Sequence, residues 1–305
     1  MLRLFLGRVT EATAALFLLS AVVFAASRLT GNPLDLLLGP GATREDYARL
    51  NHALGLDRTL GIQYGIFLLN ALRGDLGTSF RSGESVVAVL SQHLLASAIL
   101  AAAAIGLTWL AGIPFGVWAA QHRGTPVDAS VKLPSLLGQS MPSFWVGLLL
   151  IEVFAVKLGW LPSGTNQGAL NVILPAFTLA LFGIAGIARL LRSSLLEVLD
   201  SEFVTVARAK GMPEVTVIWK HALKNAMFPV VSFAGLYFVN VMTLSMVVEV
   251  VFAWPGLGQL TFNAILARDF PVVQGVVLVA GAIAIAVNFV VDVLYAYLDP
   301  RVRYA

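Results

Sequence analysis

The sequence predicts an all-α membrane protein with six spanning helices, and three observations carry that prediction. Of its 305 residues 58% are hydrophobic and 12% charged, about half the charge of a soluble domain. Mean hydropathy is +0.84. The apolar residues gather into six runs, each of the roughly 18 residues or more that a bilayer crossing needs.

The first run covers about 9–27. Arg3, Arg8 and the small-residue string FAAS at Phe24–Ser27 also fit a cleaved secretory leader. The second, 94–120, holds no charge. The third, 133–156, is bracketed by Lys132 and Lys157 and contains Glu152. The fourth covers 172–191. The fifth, 227–251, carries Glu249 near its end, and the sixth, 272–298, contains Asp292.

Orientation follows from basic residues in the short loops. An N-terminus inside the cell puts Arg3, Arg8, Arg123, Lys132, Arg208, Lys210, Lys220, Lys224, Arg301 and Arg303 on the inner side. The outer side then holds Lys157, Arg268 and the long first loop, whose length removes it from the rule. Both termini are expected in the cytoplasm. The long outer loop, 29–93, has turn signals at Gly39–Gly41 and Gly74–Gly77 and a helical pattern near 62–72. Its Leu, Ile, Phe and Tyr content predicts a small outer cap packed on the spans.

Between the fourth and fifth runs the apolar pattern stops. The stretch TVARAKGMPEVTVIWKHALKN, Thr205 to Asn225, has five charged residues, four of them basic. Two short helices fit it. The first covers about 201–210, ended by Gly211 in a left-handed conformation. Pro213 and Glu214 suit the first turn of the second. Val215, Ile218, Trp219, Ala222 and Ala226 then form one apolar face, with Lys220 and Lys224 elsewhere. This is a basic amphipathic helix suited to a membrane surface. Ala207 and Gly211 share a small-residue face on the first helix, which allows close approach to a partner. An ordinary loop lying on headgroups fits the same spacing.

These residues resemble the cytoplasmic coupling loop of ABC-importer permeases, in the form typical of the dipeptide, oligopeptide and nickel branch. The match is ARAKG at Ala207–Gly211 with HALKNA at His221–Ala226. Thr205 and Val206 stand where the general loop has Glu and Ala. Similar stretches are ALGLDRTLGIQY (Ala53–Tyr64), GDLGTSF (Gly74–Phe80), LGWLPSG (Leu158–Gly164), VVEVVFAWPGLGQL (Val247–Leu260) and DVLYAYLDPRVRY (Asp292–Tyr304). Ser85 and Leu95 depart from the family, which has prolines there, and put the local geometry at the start of the second span in doubt.

The resemblance implies a type I ABC importer permease, 1–305 forming a single transmembrane domain with its coupling loop over 200–226. Its partners would be a second, homologous permease, two cytoplasmic ATPases, an outer substrate-binding protein and membrane lipid, with no nucleic acid, in a bacterial-type inner membrane. Phe203, Ala207, Arg208, Lys210 and Gly211 would meet the ATPase. ATP and magnesium would belong to the ATPases; the chain itself is expected to hold no cofactor or metal and to catalyse nothing. It has no GxxxxGK[ST] with which to cradle phosphates. Dipeptides, oligopeptides, glutathione and nickel are the family's solutes; a peptide-like solute is expected, since the spans offer no His or Cys ligand for nickel.

Other features remain open at this level. Glu152, Glu249 and Asp292 fit intramembrane polar sites or simple pairing with neighbouring helices. Trp254, Pro255, Gly256 and Gly258 fit a gate, a binding-protein contact or an ordinary turn after the fifth span. GIPFG at Gly112–Gly116 fits a close helix contact. Two other function classes compete. A secondary transporter would favour intramembrane charge pairs and an internal repeat, and no convincing repeat is visible. An intramembrane hydrolase would need GxSxG or HExxH, and neither is present.

Overall fold

The computed structural model describes residues 2–29, 34–38, 41–126, 141–164 and 168–298. In chain order the helices are α1 (Leu2–Leu29), α2 (Leu34–Leu37), α3 (Arg44–Ala53), α4 (Leu60–Leu72), α5 (Val86–Gln121), α6 (Ser143–Leu150), α7 (Ile173–Leu199), α8 (Glu202–Ala209), α9 (Glu214–Thr216), α10 (Leu223–Ala226), α11 (Phe228–Val251), α12 (Leu257–Leu266) and α13 (Phe270–Leu298). π-helical segments Ile151–Lys157 and Val217–Ala222 continue α6 and join α9 to α10. Among the described residues there is no strand, only an isolated bridge between Thr78 and Ser85.

The all-α membrane architecture is the one expected. Among the described residues four helical stretches are long and apolar enough to cross a bilayer: Gly7–Leu29, Val86–Gln121, Ala169–Leu199 and Phe270–Val290. The fifth expected span is α11, an uninterrupted helix of 24 residues. The third corresponds to α6 and its π segment; residues 133–140 lie outside the described set.

Helix ends differ from the apolar runs where polar residues interrupt hydropathy without interrupting the backbone. The second span begins at Val86, because Ser91, Gln92 and His93 leave the helical hydrogen bonding intact. Leu95 sits inside this helix and Ser85 just before it, where its carbonyl accepts the Val89 amide at 3.1 Å. The fourth span runs on past Arg189, Arg192 and Glu197 to Leu199.

The chain forms two compact units. The first comprises 1–97 and 255–286. In it Val86 and Leu90 of α5 pack with Leu257 and Ala264 of α12 and Val272 and Val276 of α13. A Cβ on Gly275 would lie 2.6 Å from Val86 Cγ1, so only glycine admits this approach of α13 to α5. The buried Asp269 ties the Gly74–Glu84 loop to the start of α13. Its carboxylate accepts the Ser79 hydroxyl at 2.5 Å and the Phe80 amide at 3.1 Å. Ser79 Oγ in turn accepts the Ser82 amide at 3.0 Å.

The second unit, 98–254 with 287–305, is organised around α7. Its small residues admit neighbours closely. Cβ atoms on Gly112 and Gly116 of α5 would lie 3.0 Å from Ile187 and 2.9 Å from Leu191, so GIPFG is a close helix contact. Gly183 and Gly186 leave room for Tyr237 and Phe233 of α11, whose rings stack 6.0 Å apart. Polar groups buried here are satisfied between helices. Tyr237 donates to the Leu179 carbonyl at 2.9 Å and accepts from Thr108 at 3.1 Å.

Candidate functional site

The stretch after α7 folds as two short helices around a tight turn. Helix α8 ends in a Schellman motif: the Gly211 amide bonds the Arg208 carbonyl at 2.9 Å and the Met212 amide bonds Ala207 at 3.4 Å. Gly211 takes φ +77°, the left-handed conformation its position predicts. A Cβ there would meet nothing within 4 Å.

The two faces of this loop have different tasks. Val204 and Ala207 are buried with Val117 and Ala120 of α5 and Ile187, Leu191 and Leu195 of α7. The small Ala207 face therefore closes on the chain's own core rather than standing free. Outward on the same helix stand Phe203 and Val206, 45% and 52% exposed, beside the exposed Lys210 and Gly211.

The apolar face of the second helix needs correction. Val217, Ile218, Ala222 and Ala226 are buried, while Val215 and Trp219 are 67% and 46% exposed. The cause is the π segment Val217–Ala222. Its i→i+5 bonding places more residues in each turn than the 3.6-residue period assumed from sequence. Val217 therefore turns inward and Trp219 outward. The adjacent apolar pair Val217–Ile218, five and four residues before Ala222, was the available signal.

Arg208 is held by its neighbour. Its Nη2 and Nε donate to Glu214 Oε1 at 2.6 Å and Oε2 at 3.1 Å, bridging the turn at Gly211. These hydrogen bonds hold the Glu214 carboxyl below its ordinary pKa and raise that of Arg208.

The remaining sequence candidates lie elsewhere. Glu152 pairs with Lys157 at 3.3 Å; both are exposed, and the π segment brings these residues, five apart, together. Glu249 is fully buried in α11. Asp292 lies on α13, with its side chain outside the described set. Trp254, Gly256 and Gly258 are buried and Pro255 half-buried. Before them α11 ends with Ala253 at φ +48°. The Trp254 amide there bonds the Glu249 carbonyl at 2.8 Å. Asp269 and Ser79 were not singled out from sequence. Nothing local to Asp269 names a partner 190 residues away in the chain.

Comparison with known proteins covers the whole chain. Residues 112–304 match the model of the family described as binding-protein-dependent transport system inner membrane component. A Brucella abortus (strain 2308) protein named for a peptide transport system permease is 40% identical over 313 residues, covering 100% of both chains. The oligopeptide transport system permease AppB of Bacillus subtilis (strain 168) is 36% identical, covering 94% of each chain. The glutathione transport system permease GsiC of Escherichia coli O6:H1 is 37% identical over 100% of both. Among solved structures, a chain of the inward-facing MetNI methionine ABC transporter superposes with a TM-score of 0.57 at 20% identity, covering 69% of this chain and 96% of that one. That likeness is one of fold.

Proposed function

The chain belongs to the family of binding-protein-dependent transport system inner membrane components, and from that premise we propose that it is the permease subunit of an ATP-driven importer of peptides or peptide-like solutes. The observation that carries the solute class is the full-length similarity to a permease named for peptide transport. Relatives named for oligopeptides and glutathione lie in the same chemical range.

In this reading the α8 loop couples the pathway to cytoplasmic ATPases. Phe203 and Val206 are the apolar contacts, and Lys210 lies beside them. The contact is a short helix seated in a groove. The buried pair Val204 and Ala207 carries any displacement into α5 and α7, against which it packs. A second permease completes the pathway, two ATPases supply ATP binding with its magnesium, and an outer binding protein delivers solute. Both termini and the coupling loop face the cytoplasm, a placement supported by the basic residues of the short loops.

The test is uptake into vesicles. The chain is co-reconstituted with its second permease, ATPases and binding protein, and a labelled peptide mixture is offered. Uptake is expected only with internal or external ATP on the ATPase side and with binding protein present. Uptake driven by an ion gradient, without the ATPases, would establish a secondary transporter instead.

A further inference from the structure

Helix α4 (Leu60–Leu72) carries no charged residue, while Arg58 precedes it and Arg73 follows. Its 13 residues make a rod about 20 Å long, too short for the roughly 30 Å hydrocarbon core. One side packs on α1. The Tyr64 ring lies 5.9 Å from Phe17 and 5.4 Å from Phe24, and Phe67 lies 5.8 Å from Phe24. Ser20 Oγ donates to the Phe17 carbonyl at 2.7 Å and therefore accepts the Tyr64 hydroxyl, 2.8 Å away.

The other side of α4 is apolar and uncovered. Ile62, Ile66 and Leu69, spaced i, i+4 and i+7, form a stripe 52%, 38% and 55% exposed. Depth identifies what lies against it. Ser20 sits well inside α1, whose stretch Gly7–Leu29 is long and apolar enough to cross a membrane. At 1.5 Å per residue, Ser20 is about 14 Å below the C-terminal end of α1. A helix standing in water would meet α1 beyond Leu29, not at Phe17–Phe24. At this level α1 also turns Phe17, Leu18 and Val22 outward.

We propose that α4 is embedded in the bilayer beside α1, with Ile62, Ile66 and Leu69 against lipid acyl chains. A helix with no charged residue fits that depth, where a charged side chain would be costly. The long loop after α1 is then anchored in the membrane as well as packed on it. This inference rests on α1 as a membrane span and not on the identity of the solute.

The chain has no cysteine, so single labels report cleanly. Nitroxides are attached at Ile66→Cys and Leu69→Cys, with Arg49→Cys on the polar α3 as the aqueous reference. The assembled transporter is placed in phosphatidylethanolamine–phosphatidylglycerol vesicles. Collision with oxygen relative to a water-soluble nickel chelate is expected to be several-fold higher at 66 and 69 than at 49. A ratio equal to that of residue 49 would place α4 in water and overturn the proposal. Shielding from both reagents, with an immobilised spectrum, would identify a protein partner on the stripe and overturn it equally. Ile62→Cys gives the same readout should either label prevent assembly.

Discussion

Arg208 and Glu214 close the loop after α8 with a two-point ion pair, 2.6 Å and 3.1 Å, across the left-handed turn at Gly211. The pair links α8 to the first turn of the helix that follows. Both side chains are about half exposed, so its contribution is modest, about 0–1 kcal/mol. Glu214→Gln should loosen the turn more than unfold the chain, seen as faster amide exchange over 208–216. Because the folded pKa of Glu214 is depressed, the ionic contribution is complete above its ordinary pKa. It fades as pH falls through the lowered value. Exchange protection of wild type that is flat across that acid range would contradict this role.

Gly211 is required for conformation, not for space inside the chain. A left-handed non-glycine residue costs about 1–2 kcal/mol, and an added Cβ meets no neighbour. Asn tolerates this conformation, Ala less well, and the β-branched Val worst. ATPase stimulation by loaded binding protein should therefore fall in the order Gly, Asn, Ala, Val. Moving a transporter from 1:99 to 99:1 requires about 5.5 kcal/mol of differential interaction, so a misdirected α8 should transmit little of it. Equal stimulation across the series, measured in vesicles, would reduce the loop to a surface segment.

The comparison of sequence and structure is instructive at this loop. The turn was legible because glycine after a short helix and proline two residues later have few other uses. The face of the second helix was not, because a π segment shifts Trp219 and Val217 and leaves only the adjacent apolar pair Val217–Ile218 as its trace. Spans were legible from hydropathy, but the ends of α5 and α7 were not, since helical backbone continues through His93 and Arg192. The Asp269–Ser79 contact depends on tertiary placement of segments far apart in the chain. No local pattern encodes it.

Gly183 marks a close contact of three helices, α5, α7 and α11, in the second unit. A methyl there would sit 2.7 Å from Thr108 Cγ2 and strike the Tyr237 ring. Gly183→Ala should cost about 1–3 kcal/mol through overpacking. The readout is a lower midpoint for thermal aggregation in detergent. Tyr237→Phe combined with Gly183→Ala should not restore it, because the ring itself remains in place. An unchanged midpoint for Gly183→Ala would show that α7 and α11 can separate freely.

Asp269 should be needed to hold the Gly74–Glu84 loop. Asp269→Ala removes the acceptor for the Ser79 hydroxyl and the Phe80 amide. Hydrogen bonds to a charged group contribute about 1.5–3 kcal/mol each. The loop should become open to protease in the Ala variant, while Asp269→Asn, which keeps one acceptor oxygen, should protect it partly. Protection equal to wild type in the Ala variant would refute the tether.

In the proposed assembly α8 meets an ATPase through its exposed Phe203–Val206 side, while Val204 and Ala207 pack in the chain's own core. Photo-activated cross-linkers placed on single cysteines of the otherwise cysteine-free chain measure this in the assembled transporter. Phe203→Cys and Val206→Cys should join to the ATPase, whereas Ala207→Cys should join only within the permease. Cross-links to the ATPase from residue 207 with none from 203 and 206 would show that a different face of α8 meets the ATPase.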